Sequence, residues 1–411
     1  MHEPTNHQHL KRSISLPFIT LYGIGTIIGA GIYVLTGKVA SVSGMQAPFA
    51  FILSALIATF TGLSYSELSS RYPKSAGEAV YVLHGFRSKG FSSLIGWMVI
   101  ATGVVSASAI TLGFVGYFKI FFSFPDWAII VGVVCSMCFI ASIGVNVSVG
   151  VASAITILEV CGLIYIISLA GGSLATLPDR WLEIIPSFTT TDFSNVFLGA
   201  FLAFYAFIGF EDMVNMAEEV KEPQRTLPKG IMLALVISGL LYFLVSLISV
   251  LALPIEELNS SEAPLADLVA SNGLSSVNFI GIIGMIAVIN GALIQVIMAS
   301  RVLYGMGEQG IGPKSLSYVN SWTQTPVTAT FLVSAIVLTL ALWFPIVTLA
   351  KITTLIILFV FSTVNLSLII IKLRTKTAPK DVVTFPIAIP MIGLFLNSIL
   401  IGVQIYKWLS Y

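Results

Sequence analysis

The sequence predicts an all-α polytopic membrane protein of about 11 transmembrane helices, arranged as five plus five in inverted orientation, with helices 1 and 6 discontinuous. Three observations predict this. Hydrophobic residues make up 56% of the 411-residue chain and charged residues only 9%, against roughly 25% charged in a soluble domain. Apolar runs of about 20 residues, enough to cross a ~30 Å hydrocarbon core, recur throughout the chain. Two of those runs are interrupted at corresponding places, and an odd number of helices per half forces the second half to enter from the opposite side.

Taken in order, residues 1–16 are a polar tail without a signal-peptide cleavage pattern, so the first span is expected to stay in the mature protein. The first five-helix repeat, 17–172, contains apolar runs at about 17–41, 46–69, 91–122, 126–145 and 150–172. The second repeat, 193–372, contains runs at about 193–217, 229–253, 276–306, 326–346 and 349–372, and an additional helix follows at 385–409. With the N-terminus cytoplasmic, 15 of the 20 Lys and Arg residues fall in inside loops, leaving Lys38, Lys119, Arg180, Lys351 and Lys407 outside. That asymmetry fixes the orientation. A net charge of +1 gives no global attraction for nucleic acid.

Span one carries Tyr22-Gly-Ile-Gly-Thr-Ile-Ile-Gly-Ala-Gly-Ile-Tyr33, with four glycines at its middle. An opened turn in hydrocarbon strands N–H and C=O groups at several kcal/mol each, so it persists only where it lines a cavity. Its counterpart in span six is Phe204-Tyr-Ala-Phe-Ile-Gly-Phe-Glu211. Interrupted helices at corresponding positions of two halves point to a transporter site at the repeat interface. Taken alone, the glycines read equally well as a close helix–helix contact, since Gly25-x-x-x-Gly29 is a small-x-x-x-small pattern.

Chemically, the N–H groups of Gly29, Ala30 and Gly31, where the second part of span one restarts, suit a carboxylate. Free carbonyls of Ile27 and Ile28, and across the site of Tyr205, Phe207 and Ile208, suit an ammonium group. A small zwitterion needs no charged side chain there. Tyr205 or Phe207 is the candidate aromatic lid. Glu159 lies near the middle of span five with no basic neighbour, and an ionised carboxylate there costs at least about 2.5 kcal/mol. Three roles are open for it: proton carrier, cation ligand or permanently protonated packing group. Glu211 either caps free N–H groups or serves as a gate, and Asp212 is expected to be solvated. Gln295 and Asn290 in span eight serve as substrate contacts or interhelical glue. Arg301, Glu67 and Arg71 are expected to form cytoplasmic ion pairs. Cys135, Cys138 and Cys161 lie within predicted spans, where the C-x-x-C of Cys135 and Cys138 reads as buried small side chains; His2, His7 and His9 read as part of a disordered tail in preference to a terminal metal cluster.

The loop Tyr65-Ser-Glu-Leu-Ser-Ser-Arg71-Tyr-Pro73, the span-six exit Glu218-Glu-Val-Lys-Glu-Pro223-Gln-Arg225 and the span-eight exit Gly310-Ile-Gly-Pro313 join the span-one glycines in one order. With them the chain resembles the amino acid, polyamine and organocation transporter superfamily, particularly its bacterial amino acid permeases and cationic amino acid transporters. The resemblance covers the first ten spans. It implies a leucine-transporter-like fold, the main-chain binding roles given above, and a side-chain contact at Gln295. The family typically has twelve spans, where eleven are read here. In many proton-coupled relatives the position of Glu159 looks like a lysine, so the sign of the charge is reversed; in some relatives the acid at Glu211 senses pH.

The expected function is secondary active transport of neutral or broadly selected L-amino acids across a bacterial inner membrane by alternating access. Proton symport is expected, with H+ as the coupling ion and no cofactor or metal. An amino acid or amine exchanger is the alternative. A membrane-embedded enzyme or a receptor is remote, because no nucleophile–base pair or ligand cluster is legible and only His84 lies outside the tail, in a loop.

Overall fold

A computed structural model describes residues 12–74, 77–143, 149–187, 190–217, 219–271, 277–308, 314–318, 320, 325–375 and 382–409. The tail histidines and the Gly310–Pro313 motif lie outside these residues. The described residues form helices and connecting turns, with no strand beyond one parallel bridge between Ile14 and Val220.

The first interrupted span is α1 (Leu16–Ile27) and α2 (Ala30–Ser43); a tight turn at Gly44 leads to α3 (Ala47–Arg71). Next come α4 (Gly77–Phe86), α5 (Lys89–Phe118), α6 (Asp126–Ile143), α7 (Val149–Ala170) and α8 (Leu177–Ile184). The second interrupted span begins with α9 (Thr190–Ala203) and continues in two 3₁₀ turns, Phe204–Phe207 and Phe210–Met216. The chain then forms α10 (Pro223–Ala252), α11 (Ile255–Ser260), α12 (Pro264–Ala270), α13 (Val277–Glu308), α14 (Val327–Trp343), α15 (Ile346–Arg374) and α16 (Ala388–Leu409). Among the described residues, eight helical stretches are long and apolar enough to cross a membrane. Shorter apolar helices lie at Leu16–Ile27, Asp126–Ser142 and Val327–Trp343. The protein is a multi-pass membrane protein.

Outward-facing Phe139, Phe331 and Phe395 suit contact with lipid, and Trp127, Trp181, Trp343 and Trp408 are exposed at or near helix ends, where the amphipathic indole meets the membrane interface. Cys135 and Cys161 are exposed and Cys138 half-buried, which corrects the expectation of a buried C-x-x-C: these thiols lie toward the outer face of their helices. The segment bearing His84 is the helix α4 and not an irregular loop.

Inside, α3 packs along α10 and α5 along α13, while α1 lies against α7 and α10. Polar side chains hold α3, α15 and α16 together. Ser64 donates to Asn365 Oδ1 (2.6 Å), and both Asn365 Nδ2 (3.1 Å) and Asn397 Nδ2 (3.3 Å) reach Thr61 Oγ1. Such hydrogen bonds substitute for a hydrophobic drive that lipid surroundings weaken.

The expected ion pairs divide. Glu67, fully buried, receives Arg71 Nε (2.9 Å) and Nη2 (2.7 Å) on Oε1, and Lys372 Nζ (2.7 Å) with the Phe385 N–H (2.9 Å) on Oε2. Arg301 is exposed and stands apart from this group. Glu67 therefore joins α3, the end of α15 and the segment leading into α16 through one carboxylate. Glu67→Gln should lower stability by about 3 kcal/mol, because two cations with little exposure lose their counter-charge. Thermal denaturation of the detergent-solubilised protein measures it, and an unchanged midpoint would refute the role.

Candidate functional site

α1 stops at Ile27 because Ile28 leaves helical geometry (ψ 118°) and Gly29 is fully extended; α2 restarts at Ala30. The first N–H groups of α2 consequently precede any acceptor in their own helix. In the second interrupted span, Ile208 is extended (ψ 134°) and Gly209 has φ 126°, a conformation that favours glycine. The two breaks face each other. A side chain at Gly31 would overlap the Ala206 backbone, and one at Gly209 would overlap the Thr26 carbonyl. The glycines thus serve a close approach as well as a break, so the two readings of the sequence pattern coexist.

Side chains complete the hydrogen bonding that the broken helices lack. Thr26 Oγ1 donates to Gly209 O (2.9 Å) or, as the alternative within its own helix, to Gly23 O (3.0 Å). Tyr242 Oη, from α10, lies 2.7 Å from Ile27 O and 3.0 Å from Ala206 O, bridging both breaks. The Gly209 N–H donates to Glu211 Oε2 (2.8 Å), the capping contact open to that residue.

Between the breaks is a hollow of about 30 Å³, close to the volume of one water in the liquid. Its walls are Thr26, Ile27, Ile28, Gly29 and Gly31 from span one, Tyr205 and Ile208 from span six, Ser106 and Ile110 from α5, and Gly291, Ile294 and Gln295 from α13. Ala30 contributes its backbone at the helix start. Tyr205 Oη is engaged with Ser106 Oγ at 3.1 Å. Phe207 is not part of the wall: its ring is fully buried against Tyr242 (centroids 5.1 Å apart). Of the two lid candidates, only Tyr205 borders the hollow.

Glu159 is fully buried, in agreement with an inward-facing carboxylate, and neither oxygen has a hydrogen-bond partner in normal geometry. The Asn290 amide lies close enough to interact with it. Tyr33 Oη donates to the main-chain oxygen of Glu159 at 3.2 Å, tying α2 to α7. Asp212 corrects a sequence expectation: it is 3% exposed, not solvated, and Gln295 Nε2 reaches its Oδ2 at 3.5 Å. Asp212 lies in the 3₁₀ segment Phe210–Met216, which packs it inward so that it meets Gln295 of α13.

Glu78, on α4 outside the spans, was not singled out by sequence reasoning. It accepts from Tyr65 Oη (3.3 Å) and lies within electrostatic range of Glu211 and Asp212. Tyr242 was also missed, although a lone phenol in an apolar run signals a hydroxyl that must find a buried acceptor. Among the described residues no group of His, Cys, Asp and Glu is disposed to hold a metal ion.

The family model for amino acid permeases matches residues 14–407. A branched-chain amino acid permease of Bacillus subtilis is 28% identical over 92% of this chain and 84% of its own length. The mitochondrial cationic amino acid transporter 3 of Arabidopsis thaliana is 28% identical over 93% of this chain, which spans 65% of that relative. A methylthioribose transporter of Bacillus subtilis is 28% identical over 88% of this chain and 82% of its own length.

Burial pushes the Glu78 carboxyl up from 4.5 to about 7, against the smaller opposing effect of its hydrogen bonds. The folded protein therefore binds this proton more tightly than the unfolded chain. Its contribution to stability is full below pH 4.5, declines as pH rises toward 7, and is level above that. Glu78→Gln should remove a decline of at most about 3 kcal/mol, read as the difference between denaturation midpoints at pH 5 and pH 8. Parallel pH profiles for the two proteins would contradict this.

Proposed function

This chain belongs to the amino acid permease family, and on that premise we propose that it is a secondary active transporter of L-amino acids working by alternating access. The observation that carries the proposal is the pair of facing helix breaks around one small hollow. The N–H groups of Gly29, Ala30 and Gly31 receive the substrate carboxylate with the help of the α2 dipole. Carbonyls at Ile27 and Ile28, with those of Tyr205, Phe207 and Ile208 opposite, receive the ammonium group. Ile27 O already accepts from Tyr242 but retains a second lone pair.

The hollow in this conformation is too small for an amino acid, so binding requires the breaks to separate. A substrate that fits the parted state better than the closed one shifts the balance between them. Ten spans in two inverted five-helix repeats, 17–172 and 193–372, with the N-terminus cytoplasmic and an eleventh span at 385–409, give the moving parts. The packing of α3 with α10 and of α5 with α13 supports that reading, since each pair joins spans five positions apart. The wall residues carry no charged side chain, and Ile110, Ile208 and Ile294 supply apolar surface, which favours a neutral substrate with an apolar side chain.

Glu159 is the proton carrier in this scheme. Protonated, it is accepted in the contact among α7, α2 and α13; ionised, it opposes closure because, among the described residues, no cation offsets it and the nearby Asn290 amide is its one donor. Tyr33 and Tyr242 lie within its electrostatic range, so its charge is felt at the helix breaks.

In proteoliposomes, a proton gradient should drive uptake where a sodium gradient does not. Leucine or valine should be taken up at least about tenfold better than arginine or glutamate, roughly 1.4 kcal/mol of discrimination. Glu159→Gln should abolish accumulation while exchange of internal for external substrate continues. Full gradient-driven uptake by that variant would exclude the carrier role, and loss of binding altogether would point to a packing role.

A further inference from the structure

We propose a second binding site, away from the transport hollow: the notch between α4 and the end of α15 takes the phosphate of an anionic phospholipid. The notch has a volume of about 280 Å³ and its walls include Arg87, Arg374, His84, Tyr72, Leu83 and Thr375, with no acidic side chain among them. Two guanidinium groups face the same space. Arg374 Nη1 donates to Gly85 O at 2.7 Å, which fixes the side chain while leaving its other N–H groups available. The Arg87 guanidinium has no partner among the described residues.

Arg87 occupies an unusual backbone position. Its φ of 55° is the left-handed conformation that ends helices, and its N–H closes α4 on Leu83 O (2.8 Å). Glycine is the usual residue there, because a side chain is strained in that region. The strain positions an unpaired guanidinium over the notch. His84 is also oriented: its ring lies against Tyr72 (centroids 4.1 Å apart) and Nδ1 is bonded to Val80 O at 2.8 Å, which leaves Nε2 free.

A pair of arginines matches a phosphodiester, which guanidinium forks bind through paired hydrogen bonds. The surroundings select a lipid over a free phosphate. Phe359, Leu366 and Leu373 are 46%, 36% and 69% exposed, and their seven-residue spacing sets them on one face of α15. The stripe lies around the helix from the notch and does not line it; the notch's own apolar side chains, Leu83 and Ile371, are where an acyl chain entering with the headgroup finds apolar surface. Basic pockets between membrane helices recognise anionic headgroups by this combination. A bound lipid would tether α4 to α15. The leaflet follows from the orientation proposed above, but the binding itself does not depend on it.

The full-length protein in detergent is to be tested by native mass spectrometry and thermal denaturation with phosphatidylglycerol, with phosphatidylcholine of the same chains, and with inorganic phosphate. Phosphatidylglycerol should bind in about tenfold preference to phosphatidylcholine and raise the denaturation midpoint, whereas phosphate alone should do neither. Arg87→Ala, which removes no hydrogen bond or ion pair among the described residues, should bring the preference near unity; Arg374→Gln should weaken it as well. Equal binding of the two lipids by the unaltered protein would overturn the proposal, as would a preference that survives Arg87→Ala. A full effect from inorganic phosphate alone would overturn the lipid assignment.

Discussion

A main-chain polar group in hydrocarbon has no water to fall back on, and the centre of this protein is organised around that constraint. Two spans stop being helical at the same depth, and the groups they release are met from outside the helices that released them. Tyr242 reaches a carbonyl of each break, Thr26 reaches the far side through Gly209 O, and Glu211 turns back onto the Gly209 N–H. Separating the breaks removes some of these partners. In the alternating-access scheme proposed above, a ligand able to replace them is what would make an open form accessible.

Charge is distributed in keeping with this design. The wall of the hollow has none, yet buried carboxylates lie behind it: Glu159 near Asn290, Asp212 behind Gln295, and Glu211 at the second break. Glu78 extends the acidic group to the loop helix α4, outside the spans. None of the four takes part in an ion pair among the described residues, whereas Glu67, a short distance along α3, is surrounded by cations. Burial without a counter-charge favours the protonated carboxyl, as at Glu78, and burial with one makes the carboxylate structural, as at Glu67. The same residue type is thus assigned opposite work by its neighbours.

The periphery is equally sorted. Large apolar side chains turn outward along the spans, tryptophans are exposed at or near helix ends, and the basic notch between α4 and α15 lies at the Lys- and Arg-rich end of α15. Glu67, Lys372 and the Phe385 N–H connect that region to α3 and to the approach to α16. The surface that meets lipid and the latch that joins these helices are therefore adjacent.

Composition and periodicity alone determined that this is a helical membrane protein, because the length of an apolar run is measured directly against the bilayer. They also determined where the helices break, since the glycines at 29 and 31 and the Ile208–Gly209 step are local signals, and that Glu159 faces inward, since an ionisable group has few other places to go. Tertiary structure decided what could not be local. It brought Tyr242 and Ser106 to the breaks, turned Phe207 away from the hollow and Tyr205 toward it, buried Asp212, and set Arg87 and Arg374 across one notch. Each of these depends on the rotation and register of one helix against another, quantities that a nearly uniform apolar sequence leaves unspecified because all faces of such a helix are compatible with lipid.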